Sequence, residues 1–364
     1  MRVYFDTDGN KVTSPAARMW FYQMRDNLVA RGIDVDLNYL GQLPYDVALI
    51  HWIRPEIIDK VLEHSPNAHI GVLNPGNLGL KSGEISNFNY SNKETFSVNN
   101  VDFFVVTGIV WRDLLLQYKK RVYLTIDYED PKNKKVKTHK LNNRVVIGYH
   151  GNHLHFKEDF FPNGAKALQR IAREFDVTLH VITRNAKSQP RIDGVKSRFV
   201  EFNLNTFNRE IQKFDIGICP VFSDYSELAN PLKYIRNPNR VNTLLFYGIP
   251  SITSPIPQSC QDLQDGETVL FAVTEEGWYQ SLRLLITQPE LRNQIGQRGR
   301  AMVEKRFSTE QATDLFIEML QEEISQPLSI KYRNILPAQD LKPKVPYSKK
   351  AIARIKSLLN MWVK

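Results

Sequence analysis

Phe214-Asp-Ile-Gly-Ile-Cys-Pro-Val221, Asn239-Arg240 and Leu244-Leu-Phe-Tyr-Gly-Ile-Pro-Ser-Ile-Thr-Ser254 follow one another in this chain. The first stretch reads as a buried strand that runs out at Pro220. Asn239 reads as the cap of a short apolar helix whose first turn carries Arg240 and which Gly248 ends. Gly248-Ile-Pro250 then turns the chain into a second apolar strand. Backbone N–H groups at a helix start, with a cation beside them, form a seat for an anion.

Outward from this stretch, apolar runs alternate with amphipathic ones. In the first half, strands are expected at Arg2–Asp6, Val35–Leu40, Asp46–Trp52, His69–Leu73, Val101–Thr107 and Arg121–Ile126. Helices are expected at Ala16–Arg31, Pro55–His64 and Val110–Tyr118. Asp127–Asn143 interrupts the pattern with five lysines around Pro131 and reads as a linker or solvated loop. The alternation restarts with strands at Arg144–Tyr149, Val177–Thr183 and Arg198–Phe202. Helices are expected at Pro162–Glu174, Phe207–Lys213, Trp278–Thr287, Pro289–Arg306 and Thr309–Ile324. Strands alternating with helices imply βαβ units and parallel sheets. The 364 residues suffice for two such domains of about 150 residues each.

Composition narrows the classes. A hydrophobic content of 42% and a charged content of 24% suit a globular protein. Two cysteines, Cys219 and Cys260, make no disulfide framework, and Cys219 in its apolar strand reads as a packed thiol. The start, Met1-Arg-Val-Tyr-Phe-Asp-Thr, lacks the apolar core of a signal peptide, and no run of 18 apolar residues occurs, so a cytoplasmic location is expected. The net charge is +9, and seven of these charges lie within 342–364, where no acid occurs, leaving +2 for the rest. A nearly neutral body speaks against a nucleic-acid partner. In that tail Ile352, Ile355, Leu358, Leu359 and Trp362 recur at helical spacing among the cations. Such a helix suits either an anionic membrane surface or packing against the first domain.

The order and spacing of the opening stretch, over about 144–320, resemble the nucleotide-sugar half of GT-B glycosyltransferases, the family-four or group 1 members above all. The pieces that carry the resemblance are Asp215 before a strand ending in Pro220, Asn239-Arg240 opening a helix, and Gly248-Ile-Pro250. Asp265-Gly266 before Leu270-Phe271, Trp278, Pro289–Ala301 and Phe307-Ser308 complete it. The resemblance implies two Rossmann-like α/β domains across a cleft: an acceptor-side domain at 1–130, a linker at 131–143, a nucleotide-sugar domain at 144–325 and a basic tail at 326–364. It implies transfer of a sugar from a nucleoside-diphosphate sugar to a hydroxyl of a glycan or lipid-linked glycan, as in polysaccharide biosynthesis at the inner face of a membrane.

Site residues follow from the same resemblance. Gly151, Asn152 and Lys157 fall where relatives grip the donor diphosphate with an arginine and a lysine, and Asn152 stands at the arginine position. Asn239 and Arg240 fall at the cation that opens the later helix. Arg184, Asn185, Pro220 and Thr243 fall in the nucleotide and ribose region. Retaining relatives carry two glutamates eight residues apart; here Ile235 and Thr243 occupy those positions, so the implied retaining reaction lacks both acids. Glu227, in the segment Ser223–Asn230, reads either as a displaced carboxylate for this role or, more plainly, as a solvated loop acid. On the acceptor side, Asp8, Gly9 and Asn74 end strands, and His51, after the strand Asp46–Ile50, is the candidate to handle the acceptor proton. A histidine packed under Trp52 is the plainer account of it. One glycine at Asp6-Thr-Asp-Gly9 makes no dinucleotide cradle. His150, His153 and His155 lack the partners of a metal site, and no cofactor or metal is expected. A non-catalytic GT-B-like module that binds a glycan or a partner is the alternative.

Overall fold

The computed structural model describes residues 1–75, 100–116, 118–128, 135–140, 142, 144–223 and 236–328. Glu227, Ile235, 131–134 and the tail at 342–364 lie outside them. The described chain builds two lobes, each a parallel sheet of six strands between helices. In the first, β1 (Arg2–Asp6), β2 (Asp34–Leu37), β3 (Val47–His51), β4 (His69–Leu73), β5 (Phe103–Val106) and β6 (Arg121–Leu124) stand in the order β2-β1-β3-β4-β5-β6. In the second, β7 (Val145–His150), β8 (Val177–Thr183), β9 (Lys196–Glu201), β10 (Ile216–Cys219), β11 (Ser251–Thr253) and β12 (Leu270–Phe271) stand in the order β12-β11-β10-β7-β8-β9. This is the doubly wound α/β architecture expected from the alternation.

Central strands such as Val47-Ala-Leu-Ile-His51 and His69-Ile-Gly-Val-Leu73 are buried at every position, as parallel strands covered on both faces must be. Phe5, Met24, Leu28 and Phe316 fill one side of the first sheet, while Ile58, Val61, Trp111 and Leu115 fill the other. In the second lobe Phe156, Leu168 and Trp278 cover one side, and Leu244, Leu245 and Val303 the other.

Four elements differ from the sequence reading. The first helix runs through Pro15–Ala17, a π-helical Arg18–Gln23 and Met24–Ala30. The wider π turn lets Met19, Trp20 and Phe21 all be buried, and the Trp20 indole N–H donates to Asp127 at 2.7 Å. The helix expected at Pro162 starts already at His153: it passes through a π-helical Phe156–Ala165 and continues as Lys166–Glu174. The linker is exposed at most of its described residues but is anchored at two of them. Lys137 pairs with buried Asp215 at 2.8 Å, and buried His139 meets the Gly248 carbonyl at 3.0 Å.

The fourth concerns Thr309–Ile324, placed by chain order with the second domain. Its Ala312, Phe316, Met319 and Leu320 belong to the core of the first lobe. Near its end Glu323, an acid in a helical turn whose dipole disfavours it, accepts from Arg121 at 2.5 and 2.8 Å and Tyr123 at 2.9 Å. The His69 Nδ1 lies 2.9 Å from it. This tie to the first sheet, not helix propensity, accounts for that acid.

Candidate functional site

In an open α/β sheet, ligands bind beyond the carboxyl ends of the strands where the strand order reverses. The reversals lie between β1 and β3 in one lobe and β7 and β10 in the other. The two carboxyl edges face each other, since two contacts join the segments that leave them. Arg184, just after β8, donates to the Thr13 carbonyl at 3.1 Å, and Asn237 lies 3.5 Å from the Thr107 hydroxyl after β5. Backbone strain collects along the same edges. Asp8, Asn38, Trp52 and Asn74, after β1, β2, β3 and β4, and Asn185, after β8, all have left-handed φ between 55° and 69°. Asn and Asp tolerate that region through local hydrogen bonds, whereas a tryptophan there is an outlier.

At the β7–β10 reversal the chain builds a tight knot. The Tyr149 hydroxyl donates to the Asn152 carbonyl at 2.7 Å, and Thr183 donates to the Gly151 carbonyl at 2.7 Å. The Asn152 side chain accepts from the Leu154 N–H at 3.0 Å and caps the helical run that begins at His153. Arg240 lies across this turn: its guanidinium donates to the Tyr149 hydroxyl at 3.1 Å and to the Pro220 carbonyl at 2.9 Å. Gly151 has φ +138°, and a Cβ there would stand 2.8 Å from the Arg240 stem. Only glycine meets both demands. Burial pushes the Tyr149 phenol above its usual range and the Cys219 thiol up to about 12, so Cys219 is the packed thiol expected.

Gly151, Asn152, Pro220 and Arg240 are thus brought together. Asn239 is not the cap: the helix Asn239–Phe246 follows Pro238, whose fixed φ suits a helix entry, and no side chain caps it. Asn239 instead offers its carbonyl to the Thr243 hydroxyl at 2.9 Å, which occupies Thr243 inside the helix. Lys157 sits on the exposed face of the helical run rather than in a loop. Asn185 has its backbone N–H on Glu201 at 3.0 Å. One sequence signal was not used: Arg236, four residues before Arg240, reaches His155 at 2.8 Å.

At the β1–β3 reversal, Asp6 and Asp8 pair with Arg54, Asp8 at 3.2 Å. Tyr4 also donates to Asp6, at 3.0 Å. Gly9, φ +64°, follows in the turn, and Asn74 closes β4 with its N–H on the Val105 carbonyl at 3.0 Å. His51 is 4% exposed and packs edge-on against Phe21 and Trp52. Its Nδ1 faces Asn10 at 3.5 Å, while its Nε2 is buried without a partner. Burial lowers its pKa to about 4, so the ring is neutral at pH 7. Asp6, Arg54 and Trp52 lie at this reversal too, and the sequence reading gave Arg54 no place there. Among the described residues no group of three His, Cys, Asp or Glu side chains is placed to hold a metal ion, and no helix is long and apolar enough to cross a membrane.

No protein-family profile and no curated protein sequence matches the chain. Solved structures do. A sucrose-phosphate synthase from Thermosynechococcus elongatus superposes with a TM-score of 0.65 at 12% identity, covering 89% of this chain and 99% of the other. HepE from Anabaena, solved in complex with UDP and glucose, gives 0.60 at 10% identity over 88% and 99%. A glycosyltransferase from Rickettsia africae gives 0.59 at 12% identity over 90% and 99%. At such identities the likeness speaks for architecture, and with both reversals and the returning helix it establishes that this chain has the two-lobed GT-B fold.

Proposed function

We propose that the protein is a glycosyltransferase that moves a sugar from a nucleoside-diphosphate sugar to a hydroxyl of a carbohydrate or lipid-linked acceptor. The observation that carries this reading is Arg240, held by Tyr149 and Pro220 over a glycine-only turn at the β7–β10 reversal. A guanidinium fixed in advance at that crevice suits the charge that develops on a departing diphosphate. The likeness to HepE, solved with UDP and glucose, supports a nucleotide ligand for this fold.

In this reading the donor diphosphate lies on Arg240 and the 151–154 turn, and the acceptor lies on the first lobe near Asp8, Gly9 and Asn74. His51, neutral at pH 7, is in the form that takes up the acceptor proton, with basicity reduced by burial. With Arg240 and backbone N–H groups neutralising the leaving group, this reading needs no metal. We further propose that the basic tail at 342–364 docks the enzyme on the cytoplasmic face of an anionic membrane, near lipid-linked acceptors of polysaccharide biosynthesis.

A binding-only module is a second reading, favoured by Thr243, whose hydroxyl is turned to the Asn239 carbonyl where retaining relatives place a glutamate. Both are tested by isothermal titration with UDP, GDP and ADP, followed by assay of the matching sugar nucleotides for release of the nucleoside diphosphate. Binding with turnover, both weakened in Arg240→Ala, supports the enzyme. Binding without hydrolysis or transfer supports the module, and no binding removes the donor reading.

A further inference from the structure

The helix Asn239–Phe246 carries Arg240 in its first turn and runs back from the donor seat to Gly248. Its eight residues span about 12 Å, short enough to shift as one rod. Three carbonyls at its far end are taken from outside it. The Arg300 guanidinium donates to Phe246 at 2.5 Å, the Lys137 backbone N–H donates to Tyr247 at 2.9 Å, and His139 Nε2 lies 3.0 Å from the Gly248 oxygen. A carbonyl can only accept, so the His139 proton sits on Nε2 and faces Gly248. Two of the three ties therefore come from the linker.

The linker is itself held in register. The Asn293 side chain accepts from the His139 backbone N–H at 2.7 Å and donates to the His139 carbonyl at 2.6 Å. The Lys137 ammonium meets Asp215 at 2.8 Å, and Asp215 accepts from the Val146 N–H at 2.8 Å, which joins the starts of β7 and β10. Packing leaves little slack, since a Cβ on Gly248 would stand 2.6 Å from Val136. Spanning two lobes requires only length, whereas a side chain bonded to both polar groups of one backbone unit fixes register. At the other end of the helix the margin is narrow too. A slide of about 0.5 Å away from Tyr149 would lengthen the 3.1 Å bond from Arg240 to a distance at which no hydrogen bond remains.

We propose that Lys137, His139 and Asn293 are positioning residues for Arg240: the linker, bolted to the far end of the helix, sets how the arginine stands over the 151–154 turn. The proposal rests on the donor reading above and deepens it, because the grip on the diphosphate then depends on the seating of the linker. Further back, the same linker is held on the first lobe, where Asp127 accepts from the Trp20 indole at 2.7 Å and Tyr128 donates to the Met19 carbonyl at 2.8 Å. The donor seat is thereby tied to the segment that leads from the acceptor-side lobe.

The test is titration calorimetry of the full chain with UDP, or with GDP or ADP if one of those binds tighter, beside urea unfolding. Arg240→Ala sets the scale, a loss of about 10- to 150-fold for a charge-assisted hydrogen bond. Asn293→Ala, which removes both bonds to His139, should lose part of that affinity. His139→Phe, which keeps a ring but no bond to Gly248, should lose part of it as well. Asn293→Asp, which still accepts from the His139 N–H, should fall between Asn293→Ala and the native chain. Val195→Ala thins the core on the opposite face of the second sheet, so it should lower stability and keep native affinity. In an Arg240→Ala background, Asn293→Ala should weaken the diphosphate no further while the urea midpoint still falls. If Asn293→Ala does not fold, Asn293→Asp and His139→Phe carry the comparison. Native affinity in these linker variants, with Arg240→Ala impaired, overturns the proposal and spares the donor reading. A loss in Val195→Ala equal to that in Asn293→Ala also overturns it, as does the full Asn293→Ala loss repeated in the Arg240→Ala background. No binding of any nucleoside diphosphate to the native chain removes the donor reading, and this proposal with it.

Discussion

Gly151→Ala is the substitution on which the geometry of the donor seat makes its sharpest demand. Two costs arise from one methyl group. The backbone at φ +138° is a region essentially confined to glycine, and holding another residue there costs about 1–3 kcal/mol. The new Cβ would also stand 2.8 Å from the Arg240 Cδ and 3.3 Å from the Tyr149 hydroxyl, against about 3.5–4.0 Å for relaxed contact. The arginine stem must therefore withdraw by roughly 0.7–1.2 Å, which stretches bonds of 3.1 and 2.9 Å past the hydrogen-bonding limit. Nucleoside diphosphate affinity should then fall about tenfold or more, as in Arg240→Ala, while stability falls by the backbone cost. The assay is a double-mutant cycle of Gly151→Ala and Arg240→Ala, read by calorimetry with UDP and by urea unfolding. With Arg240 truncated the methyl has less to displace, so the two binding effects should be non-additive by about 0.5–3 kcal/mol. Additive effects, or native UDP affinity in Gly151→Ala, would refute the claim that this glycine seats the arginine.

Four further outcomes follow from contacts elsewhere. Glu323→Gln should lower stability by about 3 kcal/mol, the low end for a broken buried ion pair because Arg121 keeps 30% exposure. Burial pushes the Glu323 carboxyl up, but its bonds from Arg121, His69 and Tyr123 outweigh this and hold it below the ordinary range. Its stabilisation is therefore complete above the unfolded value of about 4.3 and lost as pH falls below it, so urea midpoints of native and variant chains should converge in acid. His51, His139 and His180 are each lowered to about 4, chiefly by burial. The unfolded chain binds their protons first, so stability should drop between pH 6.5 and 4 by up to about 1.4 kcal/mol per pH unit for each; a flat urea midpoint there contradicts the neutral burial of all three. Once a donor is known, turnover should survive EDTA, and a complete loss restored by Mg²⁺ or Mn²⁺ would reverse that expectation. Truncation after Leu341 should reduce cosedimentation with anionic but not neutral vesicles, by about 1 kcal/mol per cation removed from the surface; equal sedimentation of both chains removes the membrane proposal.

The sequence made the fold legible because parallel strands are buried on both faces and so appear as unbroken apolar runs, such as Val47–Ile50 and Ile216–Cys219. It was less legible where a local preference pointed two ways. Pro162 reads as the first residue of a helix, because its missing N–H costs nothing there. In the fold it lies within the π-helical stretch Phe156–Ala165, nine residues after His153 has opened the run. A wider turn loosens the ladder that proline would otherwise break. Asn239 reads as a cap, yet Pro238 takes that place. Lys137, His139 and Glu323 were illegible for another reason: their partners Asp215, Gly248 and Arg121 are distant in sequence, and no local pattern announces such pairs.

The candidate site divides along the same line. Asp8, Asn74, Gly151 and Asn185 were named from their places in the resemblance, and each leaves a strand with positive φ, a conformation that suits Asp, Asn and Gly. Trp52 could not be found that way. A tryptophan at φ 69° goes against its own preference, at a cost of about 1–3 kcal/mol that only surrounding structure can offset. Its ring packs edge-on against His51, and the Asp6–Arg54–Asp8 pairs stand at the same strand-order reversal. The strain and the unpartnered Nε2 of His51 occur at adjacent residues, at the point where the strand order predicts a ligand. Local preference is thus overruled at the strand-order reversal of the first lobe. A reading by propensity passes over such a residue for the same physical reason that makes it informative once the structure is known.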